Sequence, residues 1–301
     1  MGYNTAKKRM VKRRSTQCYF ITIVAAIAIL CSCQNKKQQT EGYENLPQFE
    51  KCFPEKVVAT STGDTLLTFS SFEEAEWKLR HTVYEHSSAD EFNKALETVL
   101  LSDPSSMDYP FDLISSELIP WADSEDGMVR CVTLQSDAAY QLPMMLVCYR
   151  ANGEVCLAED GGSAEDCYYC LIPDTVFSFK TDRSTVYLVY GFAGNTCSGG
   201  DAYRLRAYER DSTGLHPAFI FPPGIYNDQQ DLYTEICIND EMYDDLWEEN
   251  FSSLVRFDKA NKRIYMRKFE KKDADEYGCT TKMTNQYLQY VWDGEQFVLE
   301  K

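Results

Sequence analysis

The chain is predicted to be α+β, a β-rich body of antiparallel hairpins with an N-terminal helix pair. Three observations lead there. Two amphipathic stretches between 71 and 101 each open on a Ser followed three places later by a Glu, the reciprocal capping pattern of a helix start. From about Met107 the chain changes to short β-prone runs. Asn-Gly and Asp-Gly turn signals punctuate those runs, as expected of hairpins.

Taken in order, Ser71 with Glu74 precedes FEEAEWKLRHTVYE, whose Phe72, Ala75, Leu79 and Val83 share one helical face. Ser88 with Glu91 precedes EFNKALETVLL, with Phe92, Leu96, Val99 and Leu100 on one face, and Asp103-Pro104 ends it. The runs MVRCVTL, MMLVCYR, EVCLAE, TVFSF, TVYLVYGF, YRLRAY, HPAFIF, TEICI, LVRF, RIYMRKF, YLQYVW and QFVLE read as strands. Asp211 to Gly214, Asp258 to Asn261 and Asp293-Gly294 join several of them, the last suiting a two-residue type I′ turn. Turn centres near 152, 212, 260 and 293 are unevenly spaced, which argues against a propeller of fixed period. Asp240 to Asn250 reads as a short acidic helix or a loop. The expected division is 1–32 signal peptide, 33–50 acylated N-terminus and tether, 51–125 helical segment, and 126–301 β-rich body, the last two forming one compact unit.

The front of the chain carries an export address. Lys7, Lys8, Arg9, Lys12, Arg13 and Arg14 form a cationic region without an acid, and Tyr19 to Leu30 is an apolar run of 12 residues. That is too short for the roughly 20 residues of a membrane-spanning helix and suits a signal h-region. Leu30-Cys31-Ser32-Cys33 resembles the lipobox of bacterial lipoproteins, with Leu three places before Cys33 and a small residue just before it. The resemblance implies cleavage before Cys33 and a diacylglyceryl thioether on it, with an N-acyl chain of the palmitate class. Two or more such chains hold a protein stably on a bilayer. Arg13-Arg14 lacks a following Phe-Leu, so the general secretory route is expected. Gln34 to Gln48 is polar, and its 15 residues reach about 50 Å when extended. Gln34 is not the acidic residue associated with inner-membrane retention, nor do acids cluster directly behind Cys33. The expected location is the cell envelope, lipid-anchored at the outer membrane and facing the periplasm.

Composition narrows the partners. With 47 acidic against 30 basic residues the net charge is −17, which opposes nucleic acid and an unaided anionic lipid surface. Besides Cys33, the chain beyond the signal holds Cys52, Cys131, Cys148, Cys156, Cys167, Cys170, Cys197, Cys237 and Cys279. An exported chain with this many cysteines is expected to form disulfides among them. Around Ala151-Asn152-Gly153, a three-residue loop would set Cys148 opposite Cys156, whereas a two-residue Asn-Gly loop would put them on opposite faces. Both remain open at the level of sequence.

No catalytic set converges. Cys197 in GNTCSGGD, with His216 as a base, offers a nucleophile, but an irregular loop with a paired Cys197 is preferred. Cys167 and Cys170 have redox spacing without the helix start a thioredoxin-like site needs. His81, His86 and His216 lack a zinc frame. Calcium would suit acidic loops at Asp160 to Asp166, Asn227 to Asp231 and Asp240 to Glu249, none of which has EF-hand spacing. Trp121, Trp247 and Trp292 lie near turns or acidic loops, where a sugar platform is conceivable, though core packing is preferred. No cofactor is expected.

Tyr109-Pro110-Phe111, then Ser124, Asp126, Gly127 and Arg130, and finally Tyr290 to Phe297 form an order that resembles an uncharacterised family of exported Bacteroidetes proteins. Leu134 stands where that family places an aromatic. The resemblance implies a shared fold over most of 70–300 and brings no activity. The expected function is a non-enzymatic envelope lipoprotein that binds a ligand or partner through its β-rich body. The alternative is a glycan- or peptide-directed hydrolase using carboxylates or Cys197.

Overall fold

In the computed structural model the described residues are 53–60, 62–115, 118–135, 144–158, 171–193, 201–222, 231–236, 254–274 and 280–300. Side chains at 201–202 and 233–236 are excepted. All fall in one compact unit, Gln48–Lys301. The architecture is β-rich, and every strand ladder is antiparallel.

A hairpin of β1 (Lys56–Ala59) and β2 (Thr65–Phe69) leads into α1 (Phe72–Lys78), a π-helical stretch Leu79–Val83, α2 (Tyr84–His86) and α3 (Ala89–Leu101). Ser88 and Glu91 close a full reciprocal cap on α3. At α1 the cap is only half of one. Ser71 accepts from the Glu74 N–H, while the Glu74 carboxylate takes the Ser70 N–H and hydroxyl and the Lys78 ammonium. A 3₁₀ turn (Pro104–Met107) and α4 (Asp112–Ser115) follow.

Three meanders make the body. The first is β3 (Trp121–Asp123), β4 (Val129–Thr133), β5 (Met145–Ala151) and β6 (Glu154–Leu157). The second orders β10 (Leu215–Pro217), β9 (Asp201–Arg210), β8 (Thr185–Phe192) and β7 (Ile172–Lys180), with β11 (Asp231–Ile236) also pairing β9. The third is β12 (Val255–Asp258), β13 (Arg263–Lys271), β14 (Thr281–Trp292) and β15 (Phe297–Leu299).

The apolar alternation stacks these into layers. Leu79, Phe92, Leu96 and Val99 share a core with Val132, Leu146 and Cys148 on one face of the first sheet. Cys131, Met145 and Val147, on its other face, meet Tyr187, Val189 and Tyr208 of the second. Val186, Leu188 and Tyr190 turn the other way and join Val255, Ile264, Met266 and Phe297 of the third sheet. The second sheet is thus covered on both faces, which is why β8 reads TVYLVYGF rather than alternating with polar residues. Gly191 in that strand is required sterically: a Cβ there would lie 2.0 Å from the Ile172 carbonyl oxygen.

Two turns answer or correct the sequence reading. Asn152 and Gly153 both have positive φ (52° and 79°), and Ala151 pairs with Glu154. The loop is therefore the two-residue form, and Cys148 and Cys156 face opposite sides of the sheet. At the last hairpin the loop is shifted by one residue. Asp293 N–H donates to the Gln296 carbonyl, leaving Gly294-Glu295 as the central pair. The Asp293 carboxylate accepts the N–H groups of Glu295 and Gln296, which folds the loop over Gly294-Glu295 just beyond the last ladder pair, Trp292 with Phe297.

Candidate functional site

A cleft of about 430 Å³ opens where the three sheets meet, lined by Asp123, Glu125, Thr175, Val176, Phe177, Ser178, Phe257 and Lys259. Each wall follows from local structure. Asp123 ends β3, and Ser124 makes an isolated parallel bridge to Val176, tying the first sheet to edge strand β7. Along that edge Thr175 and Phe177 are half-buried and Val176 and Ser178 buried, and Phe257 of β12 sits 5.8 Å from Phe177, ring centre to ring centre. Lys259, in the β12–β13 turn, donates to the Glu125 carboxylate at 2.6 Å, closing the cleft rim between residues 134 apart in sequence.

Behind Asp123 lies a buried polar network. Arg130 is 1% exposed. Its Nε and one terminal nitrogen donate to the two Asp123 oxygens at 2.6 and 2.8 Å, and the other nitrogen donates to the carbonyls of Ser106 and Tyr109. The guanidinium also lies 4.7 Å from the Trp121 ring centre. Tyr109 in turn donates its hydroxyl to Glu76, which accepts the N–H groups of Leu113 and Ile114 at the start of α4. Burial raises the Glu76 carboxyl above the usual carboxylate range, although these donors oppose it. Phe111, at φ 48°, turns the chain between Tyr109 and α4. On the other side of Asp123, the Ser124 hydroxyl donates to Asp126, and Asp126 accepts from the Tyr187 hydroxyl of the second sheet at 2.9 Å. Burial first, and that carboxylate next, push the Tyr187 phenol upward.

The segments Tyr109-Pro110-Phe111 and Ser124-x-Asp126-Gly127-x-x-Arg130, separated in sequence, therefore meet where Arg130 donates to the Tyr109 carbonyl, while a second set of bonds ties Ser124 and Asp126 to Tyr187. The carboxylates within reach of the cleft are already engaged, Asp123 by Arg130 and Glu125 by Lys259.

The other sequence candidates are placed elsewhere. Trp121 packs between Arg130 and Phe111, and Trp292 packs on Phe179 and Phe297, so neither presents an open platform. His216 of β10 stands 3.8 Å from Asp211, and His81 stacks on Trp77; His86 ends α2. Asp231, from one calcium candidate, is buried between Arg204 and Arg206. Among the described residues no group of three or more His, Cys, Asp or Glu is set to hold a metal, and no helix is long and apolar enough to cross a membrane. Cys131 and Cys148 are buried free thiols. Burial pushes Cys131 well up and Cys148 up to about 12. Cys156 hydrogen-bonds with Tyr149. Cys33, Cys52, Cys167, Cys170, Cys197, Cys237, Cys279, Trp247, Asp160 to Asp166 and Asp240 to Glu249 lie outside the described residues.

Sequence reasoning missed Glu76, the Lys259–Glu125 pair and the role of Asp123. Glu76 carried one usable signal, a charged residue beside the apolar face of α1; the Lys259 contact had none. Comparison with protein-family models, with curated proteins and with solved structures finds no match.

Proposed function

We propose that this chain is a non-enzymatic lipoprotein of the cell envelope, anchored through acyl chains on Cys33 at the outer membrane and facing the periplasm. Its β-rich body, capped by a helix pair formed by the two capped helical stretches, binds a small polar ligand with an apolar face. The single observation supporting this is the cleft, where two phenylalanine rings stand beside the Thr175 and Ser178 hydroxyls and the Glu125–Lys259 pair. An apolar wall with a few fixed polar groups is the usual make-up of a ligand site.

Saturation-transfer NMR of the full-length chain in detergent, against a panel of neutral monosaccharides and oligosaccharides, tests the binding. Binding that Lys259→Glu abolishes, with the melting temperature unchanged, supports the cleft; binding untouched by that substitution refutes it. The hydrolase reading draws on Asp123 and Glu125 sharing one cleft. Cleavage of any panel member that Glu125→Gln removes would replace the binding reading with it.

A further inference from the structure

The face of the third sheet turned away from its core carries an arrangement that the cleft does not use. Val255, Ile264, Met266, Leu288 and Tyr290 point to the core, so strand alternation sets Arg256, Tyr265, Arg267, Tyr287 and Gln289 on the opposite face. The ladder puts Arg256 opposite Tyr265, Tyr265 opposite Gln289, and Arg267 opposite Tyr287. The exposed Arg256 side chain reaches across β13. Its guanidinium carbon lies 5.5 Å from the Tyr265 ring centre and 4.5 Å from that of Tyr287 on β14.

Among the described residues Arg256 meets no carboxylate within ion-pair distance, in a chain where acids outnumber bases by 17. Stacking occupies the π face of a guanidinium and leaves its in-plane N–H fork for a planar, bidentate acceptor. Its neighbours on this face are Tyr265, Tyr287 and Gln289, with the Arg267 guanidinium carbon 5.1 Å from the same Tyr287 ring centre. Gln289 accepts from Arg263 through its oxygen, which leaves its amide N–H groups as donors, and the two phenols flank the row. Arg263 is already engaged by Glu300, and Arg267 is buried. Among the described residues the face thus offers one exposed guanidinium without a carboxylate partner, beside the Gln289 amide and Tyr265. A protein surface rich in acids would need several such cations; a sugar acid, with one carboxylate on a ring of hydroxyls, matches it.

We propose that Arg256, Tyr265, Tyr287 and Gln289 form a subsite for a uronate residue of an acidic glycan, its carboxylate on the Arg256 fork stacked over the two rings and its hydroxyls on Gln289 and the Tyr265 phenol. The subsite deepens the reading of the β-rich body as a ligand-binding unit and lies on a different face from the cleft.

Calorimetric titration of the full-length chain in detergent, at about 0.15 M salt where long-range attraction is screened, compares oligogalacturonate with neutral galactose oligomers of equal length and with poly-L-glutamate. The expected result is oligogalacturonate binding at least about tenfold tighter than either reference, the weight of one charge-assisted bidentate contact. Arg256→Gln should erase that preference and Arg256→Lys should keep only part of it, both with a melting temperature within about 4 °C of wild type, since Arg256 is exposed and loses only its ring contacts. No oligogalacturonate binding, binding indifferent to Arg256→Gln, or equal binding of poly-L-glutamate would each overturn the subsite. Lys259→Glu separates the two readings: a loss of neutral-sugar binding with uronate binding retained leaves both standing. A loss of uronate binding through Lys259→Glu alone would move the ligand to the cleft.

Discussion

Replacing Arg130 by Met tests the network behind the cleft. The side chain volume is nearly kept, so little cavity cost enters. What is removed is the bidentate contact to Asp123, both donations to the Ser106 and Tyr109 carbonyls, and the stacking on Trp121. Asp123 keeps 41% of its side chain exposed, so its carboxylate regains water and contributes little of the loss. The Ser106 carbonyl does not, and that of half-buried Tyr109 does so only in part. A buried group left without a donor costs about 1–3 kcal/mol, with Tyr109 at about 1, and the stack adds about 1. The expected destabilisation is about 3–5 kcal/mol, in the range for breaking a buried ion pair. For a unit of this size that lowers the melting temperature by roughly 6–20 °C. Thermal unfolding followed by circular dichroism gives the number, and Trp121 fluorescence reports whether the loss is local. A change below about 1 kcal/mol would refute the claim that this guanidinium ties the Pro104–Met107 turn, Tyr109 and β3 together.

Other substitutions probe separate parts of the account. Gly191→Ala forces a Cβ against the Ile172 carbonyl and should cost about 2–4 kcal/mol by parting β7 from β8; a melt within 1–2 °C of wild type would show the strands giving way freely. Glu76→Gln addresses pH. Burial raises the folded-state carboxyl above its unfolded value, so the folded chain holds that proton to higher pH. The contribution of Glu76 is fully present below the unfolded value, falls as pH rises from there through the folded one, and is level above it. Glu97 shifts the same way, while Glu74, Asp103 and Asp108 are lowered and lose their contribution as pH falls. The difference between wild type and Glu76→Gln isolates the single group: wild type should lose stability relative to the variant as pH rises through that window. A pH-independent difference in urea midpoints would contradict the assignment.

The β-rich, antiparallel body was legible because strand runs and turn residues are local signals. Ser88 with Glu91, and Asn152-Gly153, each specify their own backbone within four residues. Local reading slipped by one residue at Asp293-Gly294, where a side-chain carboxylate competes with the turn. The site was far less legible. Asp123 and Arg130 are neighbours on paired strands, but Tyr109, Glu76 and Lys259 reach the same region only through tertiary packing. The motif residues Tyr109, Ser124, Asp126 and Arg130 form a pattern in the sequence, yet their spacing does not reveal that Arg130 reaches Tyr109 while Asp126 reaches Tyr187. Arg256 and Tyr287 lie on strands separated by β13, so no spacing rule joins them.

The measurement that bears most directly on the central reading is the intact mass of the protein extracted from its native membrane, alkylated before and after denaturation. The account predicts a chain beginning at Cys33 with the added mass of two or three acyl chains. Two further thiols, Cys131 and Cys148, should react only after denaturation, because both are buried and free. A chain that still begins at Met1 and carries no acyl mass would contradict the anchor, and with it the envelope location on which the proposed function stands.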